Sequence, residues 1–358
     1  MSNHFHPLKI SQIKKETADC VSICFDTSSE PENSFLFKEG QNVTIKKNIK
    51  GEEIRRSYSI CNAPYEKELR IAVKKVDQGL FSTFANEDLK SNETLEVMPP
   101  TGKFNAHLNE EKPQYLAIAA GSGITPIISI IKHTLFHQQD SKFTLIYGNK
   151  NRASIIFFEE LESLKNKFME RFTLINILSR EKTESTVNYG RINEEKLNEL
   201  SKIIDYPLFG AVYICGPESM VFSSTEFLQK SGLNKNNIHF ELFATPGQKQ
   251  YSNVDQIIKE ESSGPKSNVT IKLDGRSFSF PLSYKGNSIL DAALQQGADL
   301  PYACKGGVCC TCRAKLIEGQ VSMDVNYALE KEEVEQGFIL TCQSHPTTEN
   351  VVIDFDVK

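Results

Sequence analysis

Residues 301–319 read PYACKGGVCCTCRAKLIEG, and LTCQ follows at 340–343. Cys304, Cys309 and Cys312 are separated by four and then two residues, with Cys342 as a fourth thiol downstream. That is the ligand spacing of a plant-type [2Fe-2S] cluster. Four thiolates must converge on a compact two-iron core, so the backbone has to wrap closely, and Gly306 and Gly307 permit conformations that a β-carbon forbids. Amides in such a loop can donate to the sulfurs and tune the reduction potential. The other readings are a zinc site or plain buried thiols. Zinc sites more often use two paired C-x2-C knuckles, and this loop has one. Cys310, beside a ligand position, reads as a structural thiol.

Working outward, the segment holding this loop opens with VTIKLDGRSFSFPL (269–282), a hairpin with Asp274-Gly275 at its turn. A helix at SILDAALQQG and a closing strand at VVIDFDV complete it. Residues 246–268 are polar, with Pro, Gly and Ser at both ends, and read as a linker. From 107 to 245 the texture alternates strand, turn and helix: YLAIAA, GSGITP, an apolar helix from Ile127 to Phe136, FTLIYG, FFEELESLKNKF, FTLINILS and AVYICG. That alternation predicts a parallel α/β sheet with crossover helices. Residues 1–106 are short alternating stretches (VSICF, NVTIKK, RSYSI, LRIAVKKV, ETLEVM) broken by Gly, Pro, Asn and Asp, with weak helical periodicity. This is the pattern of an antiparallel Greek-key barrel. The expected order is a barrel, an α/β domain, a linker, and an α+β domain over 269–358 that carries the cluster.

The composition agrees. A chain of 358 residues has room for two or three domains, and 39% apolar with 24% charged residues is a globular balance. The longest apolar runs are too short to span a bilayer. MSNHFHPLKI has no charged-then-apolar signal segment. A cytoplasmic protein without membrane insertion is expected. The net charge of −5 argues against a nucleic-acid partner, which would need clustered Lys and Arg. Nine cysteines in that compartment do not suit a disulfide framework.

Three further stretches carry chemistry. Arg56-Ser57-Tyr58-Ser59 resembles the R-x-Y-S motif of the ferredoxin-NADP reductase superfamily. The resemblance implies that Arg56 meets the FAD pyrophosphate, Tyr58 packs on the isoalloxazine and Ser59 hydrogen-bonds near its reactive nitrogen. A fixed guanidinium suits a diphosphate and an aromatic face suits a ring. VDQGLFSTF (76–84) resembles the family's second flavin loop, in which Gly79, Ser82 and Thr83 would lie against the pyrophosphate. MPPTGKF, with Pro99, Pro100, Gly102 and Phe104, is similar to the turn that closes the family's barrel. Because the two loops would bracket a diphosphate, FAD is expected rather than FMN.

After YLAIAA comes Gly121-Ser122-Gly123-Ile124-Thr125-Pro126, a loop at the C-terminal end of a strand opening a helix, where amides and dipole favour a pyrophosphate. A lone Gly-x-Gly is often only a tight turn. Ending in Pro departs from the G-x-G-x-x-G fingerprint and is similar to the reductase superfamily instead. Cys215-Gly216-Pro217, with Met220, resembles the family's C-G-P motif and implies a thiol near hydride transfer; the other reading of Cys215 is a buried strand residue. Tyr147-Gly148-Asn149 is expected beside the adenosine half. No acidic residue stands where it would select NADH, whereas Arg152, Ser179, Arg180 and Arg191 could pair a 2′-phosphate. NADPH is expected, with NADH possible. Glu241 and Phe243 in HFELF are similar to the residues that end the family's nucleotide domain beside the flavin.

The Cys-rich segment resembles the ferredoxin module of such reductases, which implies a β-grasp fold and a potential of roughly −400 mV. Over essentially the whole chain the sequence is similar to the reductase subunits of phenylacetyl-CoA epoxidases. The expected function is electron transfer from NADPH through FAD to the [2Fe-2S] cluster and on to a di-iron oxygenase component. The alternatives are a reductase of the same architecture serving another aromatic hydroxylase or carrier protein, and a redox sensor or electron carrier without turnover. No nucleophile or triad is required, and the seven His form no H-E-x-x-H arrangement.

Overall fold

The computed structural model describes residues 4–31, 33–183, 185–243 and 265–357. The chain divides into two compact units, Met1–Phe243 and Ala244–Lys358. Residues 246–264 of the expected linker lie outside the described residues.

The first unit begins with β1 (His6–Thr17), β2 (Cys20–Asp26), β3 (Asn42–Ile49), β4 (Glu52–Ser59), β5 (Leu69–Lys74), α1 (Leu80–Glu87) and β6 (Thr94–Val97). The strands form one antiparallel sheet in the order β4-β3-β6-β1-β2-β5, and a bridge from Ile60 to Ile71 joins its ends into a barrel. Period-two alternation drives this: Leu8, Ile10, Ile23, Val43, Ile45, Ile71 and Val97 point inward and are fully buried. Helix α1 is not signalled by the sequence pattern. It has barely two turns, and its core contribution is Phe81 and Ala85. So short an apolar stripe leaves little periodic trace.

The chain continues with β7 (Gln114–Ala120), α2 (Ile124–His137), β8 (Lys142–Asn149), α3 (Phe158–Lys167), β9 (Phe172–Leu178), α4 (Glu194–Leu200), β10 (Ala211–Gly216), α5 (Glu218–Lys230) and β11 (Ile238–Leu242). The five strands are all parallel, in the order β11-β10-β7-β8-β9. Strand order reverses between β7 and β10, the switch point outside which open α/β sheets bind ligands. The near-continuous apolar run of β7 reflects burial on both faces, with residues 115–119 fully buried.

The second unit holds β12 (Lys266–Leu273), β13 (Arg276–Ser283), α6 (Ile289–Gln295), β14 (Arg313–Glu318), β15 (Val321–Met323), α7 (Lys331–Glu335), β16 (Phe338–Leu340), β17 (Ser344–Pro346) and β18 (Asn350–Asp354). A mixed sheet β13-β12-β18-β14-β16 pairs β12 parallel to β18, its other neighbours being antiparallel, and β15 pairs with β17. Ile289, Leu290 and Ala293 of α6 enter its core. This is the β-grasp arrangement. The predicted turn is present, with Asp274 at φ 51° and Gly275 at φ 71°. Its two amides donate to the Asp356 carboxylate at 2.7 and 2.9 Å. Strand β12 opens at Lys266, so residues 266–268, which composition placed in the linker, belong to the sheet.

Candidate flavin, nucleotide and iron-sulfur sites

In the second unit the four thiols approach as two pairs. Cys304 and Cys309 have their Sγ atoms 3.1 Å apart, and Cys312 lies beside Cys342. A structural zinc site more often uses two C-x2-C knuckles, and this loop has one. Two adjacent pairs instead suit two irons with two thiolates each. The Gly306 amide donates to Cys304 Sγ at 3.3 Å. A hydrogen bond from Cys309 and the amides of Gly306, Val308 and Cys309 pull the Cys304 thiol down to about 6 against the effect of burial. The fit to a cluster is therefore one of donor type and pairing. Cys310 turns away and donates to the Ala328 carbonyl at 3.1 Å.

The left-handed positions of this loop differ from those expected. Gly307 has φ 73°, and a β-carbon there would lie 3.0 Å from the Val325 carbonyl oxygen, but Gly306 is not in the left-handed region. The second left-handed residue is Lys305, at φ 51°. Its Nζ reaches Asp291 at 2.7 Å, and its carbonyl accepts from Gln343 Nε2 at 3.0 Å. The same amide nitrogen lies 3.7 Å from Cys342 Sγ, a contact that the sequence does not signal.

In the first unit, β4 alternates its side chains so that Arg56 is exposed while Arg55 is 5% exposed. Arg56 Nη1 donates to the Arg55 carbonyl at 2.7 Å. Ser57 Oγ donates to Asn42 Oδ1 at 2.7 Å, and Thr101 Oγ1 reaches the same atom at 3.4 Å. Asn42 thus ties the motif strand to the MPPTGKF turn. There Gly102 has φ 109°, and a β-carbon would meet Asn42 Nδ2 at 2.7 Å. Tyr58 is half-buried with its ring 5.5 Å from that of Phe81, and burial raises its phenol well above the usual range. The expected second flavin loop is the start of a helix. Gly79 is the N-cap of α1, and Ser82 Oγ accepts from the Val76 amide and donates to the Gly79 carbonyl, both at 3.2 Å. Thr83 lies in the first turn of α1, its amide bonded to the Gly79 carbonyl at 2.9 Å. An exposed guanidinium, a half-buried phenol ring and a helix N-terminus on one barrel edge are groups that suit a flavin diphosphate.

Ser59, 5% exposed, donates from Oγ to Glu241 Oε2 at 3.2 Å, across 182 positions of sequence. Burial pushes the Glu241 carboxyl up to about 7, and the Ser59 hydroxyl offsets this only in part. Cys215 is fully buried and lies opposite Glu241 in the β10–β11 register. Burial, then the Glu241 carboxylate, raise its thiol, so it is a neutral S–H. A carboxyl lifted from 4.5 to about 7 favours the folded state below its ordinary value, and that contribution is lost as pH rises through about 7. Glu241→Gln is therefore expected to raise Tm more at pH 8 than at pH 5, as measured by thermal unfolding. An equal shift at both would mean that the carboxyl titrates normally.

The nucleotide loop stands beside this group. Gly121 has φ 55° and its carbonyl accepts from Tyr147 Oη at 2.9 Å; Thr125 Oγ1 donates to the Ser122 carbonyl at 3.0 Å. A β-carbon on Gly121 would have Lys74 Nζ 3.8 Å away, so a cation unforeseen in the sequence borders the loop. Gly123 packs so tightly on β10 that a β-carbon would lie 2.1 Å from the Cys215 carbonyl oxygen. Gly216 ends β10 and Pro217 is the N-cap of α5. Phe243 packs against the same core. Arg180 is exposed at the end of β9, its amide bonded to the Lys150 carbonyl at 2.8 Å. Nearby, the Arg152 amide donates to Glu181 Oε2 at 2.8 Å, putting an acidic side chain beside the basic ones.

A barrel edge with a flavin-type donor set, a nucleotide loop at the switch point and a cysteine-lined β-grasp loop define a pyridine nucleotide-dependent flavin and iron-sulfur reductase. Three family profiles match in that order: oxidoreductase FAD-binding domain over residues 7–106, oxidoreductase NAD-binding domain over 117–225, and 2Fe-2S iron-sulfur cluster binding domain over 271–347. The chain is 43% identical over 356 residues to a subunit of the 1,2-phenylacetyl-CoA epoxidase of Escherichia coli, spanning 99% of this chain and 98% of that one. It is 30% identical to the ferredoxin reductase component of 3-ketosteroid-9-alpha-monooxygenase from Rhodococcus rhodochrous, spanning 97% and 96%. Phthalate dioxygenase reductase shares the fold, with a TM-score of 0.59 at 24% identity and 98% of each chain covered. The chain belongs to the family of FAD- and [2Fe-2S]-containing oxygenase reductases that includes this 1,2-phenylacetyl-CoA epoxidase component. It is an oxidoreductase that passes electrons from NAD(P)H through FAD to a [2Fe-2S] cluster for an oxygenase. Among the described residues no helix is long and apolar enough to cross a membrane.

Proposed function

We propose that this reductase draws on NADPH and serves a di-iron oxygenase of the phenylacetyl-CoA epoxidase type in the cytoplasm. Arg56, the Thr83 hydroxyl and the helix N-terminus that Gly79 caps hold the FAD pyrophosphate, with Ser57 and Ser82 fixing the strand and turn that present them. Tyr58 covers the ring. Gly121, Gly123, Thr125, Gly216 and Pro217 form the nucleotide cradle, Arg180 pairs the 2′-phosphate, and Cys304, Cys309, Cys312 and Cys342 hold the cluster. When bound, the flavin supplies the conversion of a two-electron hydride into single electrons, and the cluster carries them one at a time.

The observation that carries this reading is the convergence of Ser59, Glu241 and Cys215 beside the Gly123 loop. Ser59 Oγ presents a hydroxyl on the flavin side of the barrel, and Glu241, protonated for much of the time near neutrality, can resupply its proton. Cys215 is an uncharged, polarisable side chain buried beneath the place where a nicotinamide ring would lie, and it keeps water from that side. Phe243 closes the same edge with apolar bulk.

The acceptor is proposed from the 43% identity to the epoxidase component over nearly the full length. Reconstituting turnover of phenylacetyl-CoA with such an oxygenase tests it, and failure there alongside rapid cytochrome c reduction would reassign the partner. For the nucleotide, Arg180→Ala is expected to raise KM for NADPH by about 10-fold or more while leaving NADH within about twofold. A wild-type enzyme that oxidises NADH faster would overturn the NADPH assignment and point to Glu181.

A further inference from the structure

Helix α2 begins at the nucleotide loop, and its two sides do different things. Ile124, Ile127, Ile128 and Ile131 enter the α/β core. Ser129, Lys132, His133 and Phe136, at helical spacings of three, four and seven, meet the barrel. Ser129 Oγ accepts from the Gly40 amide at 3.3 Å and donates to the Asn62 carbonyl at 2.5 Å. His133 lies 3.4 Å from Glu39, and Phe136 stacks on Tyr65 with ring centres 4.1 Å apart.

Lys132 is the unusual member of this stripe, since it is only 3% exposed. Its Nζ is 3.1 Å from both carboxylate oxygens of Glu66, and it also pairs with Glu160. Arg70 Nη2 bonds both oxygens of Glu160 at 3.0 Å, and Arg70 Nε bonds Asn62 Oδ1 at 2.8 Å. Burial pulls the Glu160 carboxyl upward, but Lys132 and Arg70 more than offset it and hold it below its ordinary value. Glu66 and Arg70 belong to the barrel, Lys132 and Glu160 to the nucleotide domain. Asn62, bonded from both sides, lies three residues beyond Ser59.

Arg70 and Glu160 are partly buried and Glu66 lies at the surface, so Lys132 is the one fully desolvated charge of the four. Burying a lysine is a costly way to glue two domains, because well-packed apolar residues do as well or better. What it adds is register: apolar faces can slide by a fraction of a residue, whereas a slide here strands the desolvated ammonium of Lys132. We propose that Lys132 is a positioning residue for hydride transfer, locking α2 and the Gly121–Gly123 loop that it carries at one setting against the strand following the flavin motif. This rests on the reading of residues 56–59 and 121–123 as the flavin and nucleotide sites. Lys132 touches neither cofactor site itself and acts through the helix.

The test uses the full chain with flavin and iron content verified, followed anaerobically by stopped-flow flavin reduction with NADPH. Lys132→Met removes one charge. The pair Lys132→Met with Glu66→Gln removes one of each sign, leaves Arg70–Glu160 intact, and keeps the experiment informative if the single variant does not fold. The balanced variant is expected to reduce flavin about 10-fold or more slowly, with its NADPH dissociation constant within about twofold of wild type, and Lys132→Arg to recover most of the rate. A folded balanced variant at the wild-type rate, or a Lys132→Arg protein as slow as Lys132→Met, overturns the proposal. Gly123→Ala run alongside separates the two failures. If it too reacts at the wild-type rate, the site reading falls and takes this proposal with it; if it alone is slow, only the role of Lys132 is lost.

Discussion

Replacing Cys309 by Ala is expected to abolish electron delivery to an oxygenase or cytochrome c, by about 10³-fold or more, while NADPH-driven ferricyanide reduction at the flavin stays within about twofold of wild type. Cys309 is 8% exposed, and its Sγ is one half of the Cys304–Cys309 pair. Without it one iron loses a thiolate that no neighbour can supply, because Cys310 is turned away onto the Ala328 carbonyl. Iron analysis, the visible spectrum after anaerobic purification and the two acceptor assays together check this. About two irons per chain in the variant, with cytochrome c activity intact, would show that the four-cysteine assignment is wrong.

The second large effect is expected from a single methyl group. In Gly123→Ala the new β-carbon would lie 2.1 Å from the Cys215 carbonyl oxygen, 2.5 Å from its carbon and 2.9 Å from the Gly216 nitrogen. All three are backbone atoms of a central strand, so the nucleotide loop has to move and the strand does not. A displacement of about 1 Å at a reacting pair costs on the order of 10²-fold, and kcat/KM for NADPH should fall by about that much. Flavin content, and flavin reduction by dithionite, should be unchanged. An undiminished kcat/KM would mean that the nucleotide does not rest on this loop.

Legibility in the sequence followed the distance between partners. The iron-sulfur domain could be read because three of its cysteines fall within nine residues at a spacing characteristic of the cluster. The barrel and the α/β domain were visible through alternation and through the Gly-rich turn at a strand end. Helix α1 was hidden because it buries so few side chains. In the cluster loop, the glycines were the obvious candidates for left-handed backbone, yet Lys305 takes one such position, secured by Asp291 and Gln343. The pairing of Ser59 with Glu241 and the burial of Lys132 against Glu66 join residues far apart along the chain, and the bracing of Ser57 by Asn42 crosses a hairpin. No local pattern marks them, since a lysine in an amphipathic helix ordinarily faces water.

The parallel pairing of β7 with β10 sets Ala119 beside Cys215 with nearly a hundred residues between them. During synthesis at 5–20 residues per second, β7 would wait roughly 5–20 s for that neighbour after leaving the ribosome. Throughout that interval one flank of an almost wholly apolar strand has its amides and carbonyls unsatisfied, which is a template for pairing with another chain. Overexpression yield of this reductase should therefore respond to temperature and chaperone supply through the nucleotide domain, whose last two strands are the final pieces of the first unit to be made.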